Sequence, residues 1–175
     1  MTALESGEAR APALSTGRES CDDRVVSFVP DEFTPPAGLD HDAFRLRPLG
    51  AEHNESDYAA WTSSVEHILA TPGYEGSSWP HPMTLDENRM DLTEHAGEFA
   101  AREAFVYTVM ERDSETVIGC LYIYPSERPE YDAKVRSWVR AADAGLDPVL
   151  YRLVTDWLAT SWPFETVDYA ARRES

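Results

Sequence analysis

The histidines, cysteines and serines of this chain are the residues whose spacing would announce metal or nucleophile chemistry, and that spacing argues against both. His41, His53, His67, His81 and His95 include no pair in an HExxH-like frame and no cysteine partner, so a metal site has no support. Cys21 and Cys120 form no CxxC pair and no disulfide framework, which reads as two free thiols in a reducing compartment. Ser63, Ser64 and Ser137 stand outside any G-x-S-x-G elbow. Among the five tryptophans, Trp157 falls on a helical apolar period and belongs to a core. Trp61, Trp138 and Trp162 read as packing before ligand contact, and Trp79, in the stretch WPHP, is the best candidate for a ligand platform.

Charge narrows the partners. Fifteen Lys and Arg against thirty-two Asp and Glu give a net charge of -17. Such a field repels a phosphate backbone and an anionic bilayer, which argues against nucleic-acid and membrane partners. It favours a cationic amine, and it opposes an anionic cofactor unless local cations focus the potential. The leader MTALESGEARAPALSTGRES carries acidic residues and no apolar core, and no later segment is apolar enough to span a bilayer, so a cytoplasmic chain is expected.

The elements that must position any site follow from periodicity. Residues 1–24 are small and polar without a period and read as a flexible tail, residues 25–43 as an extended arm opening on a short strand at Val25, Val26, Phe28 and Val29, and residues 44–175 as one domain. Phe44-Arg45-Leu46-Arg47-Pro48-Leu49 alternates apolar with basic, the pattern of a strand buried on one face. Tyr58, Trp61, Val65, Ile68 and Leu69 then recur at helical spacing, and Thr71-Pro72-Gly73 ends the run. Thr84-Leu85-Asp86-Glu87 has the form of a capping box, which predicts a second helix from Leu85 to about Arg102 with Leu85, Leu92, Ala96 and Phe99 on its apolar stripe. Phe105–Glu111 and Val117–Tyr124 predict a hairpin, and Ala133 to Arg140 alternates as another strand. Leu146 to Leu158 carries the clearest helical period, with Asp147 as cap and Pro148 as first helical residue, and Thr166 to Ala170 closes as a short strand.

Strand, helix, helix, strand, strand, strand, helix, strand resembles the first two thirds of the GCN5-related N-acetyltransferase (GNAT) fold. FRLRPL is similar to that family's first strand, VIGCLYIYPS to its third, and VRSWVRAADAGLDPVLYRLVTDWL to its fourth strand, cofactor loop and following helix. The resemblance implies a mixed α/β domain: a central mixed sheet flanked by helices. It also implies acetyl-CoA as co-substrate, wedged where the fourth and fifth strands separate. In that family a Q/R-x-x-G-x-G/A loop binds the coenzyme A pyrophosphate through amides at a helix start. Arg140, Ala141, Asp143, Ala144 and Gly145 occupy the matching loop here, and Val139 stands where the family offers a strand amide to the thioester. Asp143 departs from the pattern, placing a carboxylate where the family has glycine.

By the same resemblance, Glu66 and His67 on the first helix and Asp132 before the fourth strand are the nominees for the base that deprotonates an amine acceptor. The acceptor is an amine of a small molecule or a protein. Two functions stay open: an acyl-CoA-dependent N-acetyltransferase, favoured by Arg140 and Gly145, and a non-catalytic ligand-binding or protein-interaction module with a lost cofactor site, favoured by Asp143 and by a chain that stops soon after the fifth strand. A homodimer would replace the strands the family carries beyond that point.

Overall fold

The computed structural model describes residues 26–173; the expected tail and Val25 lie outside them. Its six strands follow one another in chain order across a single sheet: β1 (Leu39–Asp40), β2 (Phe44–Pro48), β3 (Phe105–Glu111), β4 (Val117–Pro125), β5 (Ala133–Val139) and β6 (Val167–Tyr169). Neighbours pair antiparallel from β1 to β5, and β5 pairs β6 in parallel. Such a parallel pair needs a crossover, which α4 (Asp147–Ser161) supplies. The helices α1 (Asn54–Thr62), α2 (Val65–Leu69) and α3 (Leu85–Ala101) fill the connection between β2 and β3. A mixed sheet with helices on both faces is the expected architecture.

Alternation along the strands divides the core in two. Phe44 and Leu46 of β2, Phe105, Tyr107 and Val109 of β3, and Val135 and Val139 of β5 pack with Leu150, Val154, Trp157 and Leu158 of α4. Trp61, Ile68 and Leu92 pack with Val106, Met110, Cys120 and Trp138 on the opposite face. The alternation reverses once in β4, where Ile118 joins the first cluster and Cys120 the second. The ladder explains it: Val109 faces Gly119 and Met110 faces Val117, so Ile118 is the extra residue of a bulge. A Cβ on Gly119 would lie 2.2 Å from the Trp138 carbonyl oxygen, so only glycine allows β4 and β5 to approach there.

Four local expectations change. The helix expected from Tyr58 to Leu69 is broken at Ser63-Ser64, where the Ser64 amide bonds the Trp61 carbonyl and the chain restarts as α2. No strand forms at 26–29; Phe28 and Phe33 pack against the α4-side core, Val29 is fully buried in it, and β1 is the arm's only pairing with the sheet among the described residues. Asp147 does not cap α4; it sits inside the first turn with Pro148, and its carboxylate is used elsewhere. The capping box is present as read: the Glu87 amide donates to the Thr84 hydroxyl and the Thr84 amide to the Glu87 carboxylate. Leu85, placed on the stripe by its spacing, is 37% exposed, and Asn88 is buried instead.

Asn88 explains that exchange. Its amide donates to Asn54 Oδ1 at 2.9 Å and Asp57 Oδ2 at 3.0 Å and accepts from Trp61 Nε1 at 2.9 Å, tying α1 to α3 through a buried polar network. Burial raises the Asp57 carboxyl from 3.8 to about 6, opposed by the Asn88 hydrogen bond and by His95 and reinforced by Asp91. Because the folded state holds this proton more tightly than the unfolded chain, the stability it contributes is fullest below about pH 4 and falls as the pH rises to about 6. Asp57→Asn removes that loss while leaving an acceptor for Asn88. The variant is expected to be more stable than wild type at pH 7 by on the order of 2 kcal/mol and to flatten the pH dependence between about 4 and 6. Urea denaturation at pH 4, 5, 6 and 7 checks both; parallel curves would refute the assignment.

Candidate functional site

Where β5 and β6 part, the sheet opens an edge. Among the described residues the two strands are paired from Ala133 to Val135 and no further, and Ser137 to Val139 have no strand on that side. The gap is closed by a side chain. Arg172, whose side chain is only 4% exposed, donates to the Ser137 carbonyl at 3.0 Å, to the Pro72 carbonyl at 3.2 Å and to the Ala170 carbonyl at 2.8 Å. Its Nε and Nη2 grip the Asp147 carboxylate at 2.7 and 3.2 Å. Ser137 Oγ takes a further Arg172 contact at 3.2 Å and shares a 2.5 Å hydrogen bond with the Tyr169 hydroxyl, which burial holds in its protonated form. The Asp147 carboxylate is thus the counter-ion of a buried guanidinium.

The predicted cofactor loop lies beside this gap. Val139 is buried in the α4-side core. Arg140 donates to Asp143 and reaches Glu111 at 3.3 Å, so its charge is committed to two carboxylates. Asp143 folds back on Arg140 rather than standing in the open. The Ala141 amide donates to Ser64 Oγ at 2.8 Å and the Asp143 amide to the Arg140 carbonyl at 2.9 Å. Ala144 and Gly145 are exposed, and a Cβ on Gly145 would meet no atom within 4 Å, so nothing in the protein itself requires glycine there. These two residues, with Pro148, Tyr151, Arg152, Arg172 and Arg173, line a cleft of about 720 Å³. Arg152 and Arg173 form no ion pair among the described residues. The cations facing the loop are therefore these, which no motif marked.

The three nominated bases are dispersed. Glu66 is exposed on α2. Asp132 accepts from the Glu165 and Thr166 amides at 2.7 and 2.9 Å, which hold its carboxyl below its usual range and spend it on the turn into β6. His67 lines a second cleft, of about 460 Å³, with Pro72, Ala144, Asp147 and Arg172, and its Nε2 is buried without a partner. Of the three, His67 alone faces the cofactor loop. Among the described residues no group of His, Cys, Asp or Glu could hold a metal, and no helix is long and apolar enough to cross a membrane.

The parallel pair splays after three residues with a helix start beside the opening, and solved structures share the overall fold. A ribosomal-protein-S5-alanine acetyltransferase from Vibrio fischeri superposes with a TM-score of 0.54 over 70% of this chain and 67% of that one, at 14% identity. The chain has the GNAT fold. A microcin C7 self-immunity acetyltransferase, solved with acetyl-CoA and AMP, matches at TM-score 0.51, 12% identity and 70% of this chain against 67% of that one. A Bordetella pertussis protein assigned to the GNAT acetyltransferases matches at TM-score 0.51 and 18% identity over 71% of each chain. No protein-family model and no curated protein sequence matches.

In this GNAT fold the other face of β5 carries a separate cavity of about 150 Å³, lined by Tyr74, Trp79, Asp91, His95, Tyr122, Tyr124 and Arg136 among others. Trp79 therefore stands in a cavity wall, packed against Trp61, Tyr74, Tyr122 and Trp138 at 5.9 to 6.4 Å between ring centroids. Tyr74, Tyr122 and Arg136 were not singled out by sequence; their strand and loop positions become meaningful only when the faces of the sheet are known.

The gap chemistry yields a stability prediction. Arg172→Ala strands the Asp147 carboxylate and is expected to cost about 3 kcal/mol in urea denaturation, of which Arg172→Ala with Asp147→Ala recovers part. Equal losses in the single and double variants would deny the coupling.

Proposed function

We propose that the chain is an acyl-CoA-dependent N-acetyltransferase, with the phosphates of acetyl-CoA on the Ala144-Gly145 turn and the thioester in the gap beside Ser137. One observation carries this reading: a chain of net charge -17 places Arg152 and Arg173, neither in an ion pair among the described residues, beside the exposed Ala144-Gly145 turn at the start of α4. That focusing is what a polyanionic co-substrate needs from an acidic protein. The solved acetyltransferases of this fold add general support, one of them holding acetyl-CoA.

In the reaction, an amine nitrogen attacks the thioester carbonyl carbon, the N–C bond forms, the C–S bond breaks, and coenzyme A leaves as a thiolate that takes up a proton. The ammonium form of the acceptor must first lose its proton. His67 is proposed as the base, because its side chain lines the cleft that Arg172 shares and its Nε2 has no hydrogen-bond partner among the described residues. The Ser137 carbonyl and its neighbours offer the pantetheine backbone partners once Arg172 yields them.

Arg172 also supports the alternative of a non-catalytic module, since its guanidinium fills the gap that a thioester would enter. Calorimetry separates the two. Acetyl-CoA is expected to bind wild type with a Kd below about 100 µM at low salt and more weakly at moderate salt, and Arg152→Glu with Arg173→Glu should weaken it at least tenfold. His67→Ala should leave this Kd unchanged and lower the acetyl-transfer rate by about 10²-fold or more. Absence of binding in wild type, with recovery in Arg172→Ala, would make the module reading correct.

A further inference from the structure

The cavity on the α3 side of β5 contains a cation with nothing to pair with. The Arg136 side chain forms no hydrogen bond or ion pair among the described residues, and its Nε is fully enclosed without an acceptor. Its guanidinium packs over the Tyr74 ring at 5.5 Å, and the Tyr74 hydroxyl is likewise buried and unpartnered. Burial raises the Tyr74 phenol far above its usual range, so it remains a donor. Two buried donors without acceptors in one cavity are costly in a folded chain, and in a protein with thirty-two carboxylates the omission of a counter-ion is pointed. A ligand carboxylate would meet the planar guanidinium at its Nη groups, which are not enclosed, and a small shift of the enclosing side chains would bring Nε and the Tyr74 hydroxyl to it as well.

The opposite wall has the complementary chemistry. Asp91 and His95 lie one turn apart on α3, and Asp91 has no hydrogen-bond or ion-pair partner among the described residues, whereas His95 is held by Glu98 at 3.0 Å. The stacked rings of Tyr122 and Tyr124, 6.0 Å apart, and the indole of Trp79 complete an aromatic lining suited to an ammonium and to a compact apolar side chain. At about 150 Å³ the space is well below the roughly 300–1,000 Å³ of cavities for drug-sized ligands, so the occupant is small.

We propose that this cavity binds a free amino acid, its carboxylate on Arg136 and Tyr74 and its ammonium toward Asp91 and the aromatic wall. Resting on the N-acetyltransferase reading, this names the acceptor class. The geometry connects the two sites: Arg136 precedes Ser137 on β5 where β6 parts from it, and Tyr74 follows Pro72 and Gly73, whose neighbours in the gap are Arg172 and Ala170. An amine in the cavity thus stands around the free edge of β5 from the proposed thioester.

The test is calorimetric titration of the full chain, without acetyl-CoA, by the twenty α-amino acids, β-alanine and γ-aminobutyrate. The best binder is then compared with its primary amide and its deaminated acid. At least one amino acid is expected to bind with sub-millimolar Kd, and blocking its carboxylate as the amide should weaken binding at least tenfold. Arg136→Gln should do the same, with Arg136→Lys retaining most of the affinity; a thermal melt of each variant confirms folding. Asp91→Asn should weaken the amino acid and spare the deaminated acid. No binder in the panel, or a binder indifferent to amidation or to Arg136→Gln, overturns the proposal. Failure of the enzyme reading looks different: amino-acid binding without acetyl transfer would leave the pocket and remove the reaction, whereas acetylation confined to amines lacking a carboxylate, such as peptide N-termini, would keep the reaction and remove this acceptor.

Discussion

The Arg172 guanidinium draws together segments that no ladder connects: the turn before the α3-side loop at Pro72, the free edge of β5 at Ser137, the first turn of α4 at Asp147 and the chain beyond β6 at Ala170. A parallel pair of three residues is a weak tether for a crossover helix. The ion pair and its carbonyl acceptors stabilise the parting of β5 and β6, and stacking of the guanidinium over the Tyr151 and Tyr169 rings at 5.5 and 5.6 Å adds to it. Because the charge is desolvated, each acceptor matters: losing one leaves a buried donor unsatisfied rather than merely removing an attraction.

From that junction the two faces of the sheet acquire separate chemistry. On the α4 side, Arg152 and Arg173 stand beside the Gly145 turn and turn a strongly acidic molecule locally cationic. On the α3 side, Arg136 and Asp91 line an aromatic enclosure without pairing with each other. Both arrangements rest on the same alternation in β5, which sends Ser137 to one face and Arg136 and Trp138 to the other, and on the bulge at Ile118 that keeps β4 in step with it.

Much of the fold was legible because its signals are local. The capping box at Thr84, the alternating FRLRP strand and the apolar period of α4 each depend on a few neighbouring residues, and each appears in place. The break at Ser63-Ser64 was hidden because apolar residues keep a helical spacing across it. Asn88 was hidden because a buried amide shows no apolar period; only its three partners on α1 explain its burial. The loop motif draws attention to Arg140, whose charge is taken by Asp143 and Glu111, while Arg152 and Arg173, which no motif marks, converge beside the loop from α4 and the residues after β6. Such convergence is a property of topology, not of spacing.

The sheet also sorts the indoles. Trp61, Trp79 and Trp138 belong to the α3-side cluster, and Trp157 and Trp162 to the α4-side cluster, with a full sheet thickness between the groups. The molecule therefore carries two sets of intrinsic fluorophores, one on each face of the sheet, with Trp79 of the α3-side set in a cavity wall. An emission change confined to one set would report which face of the sheet a ligand has reached, without any label.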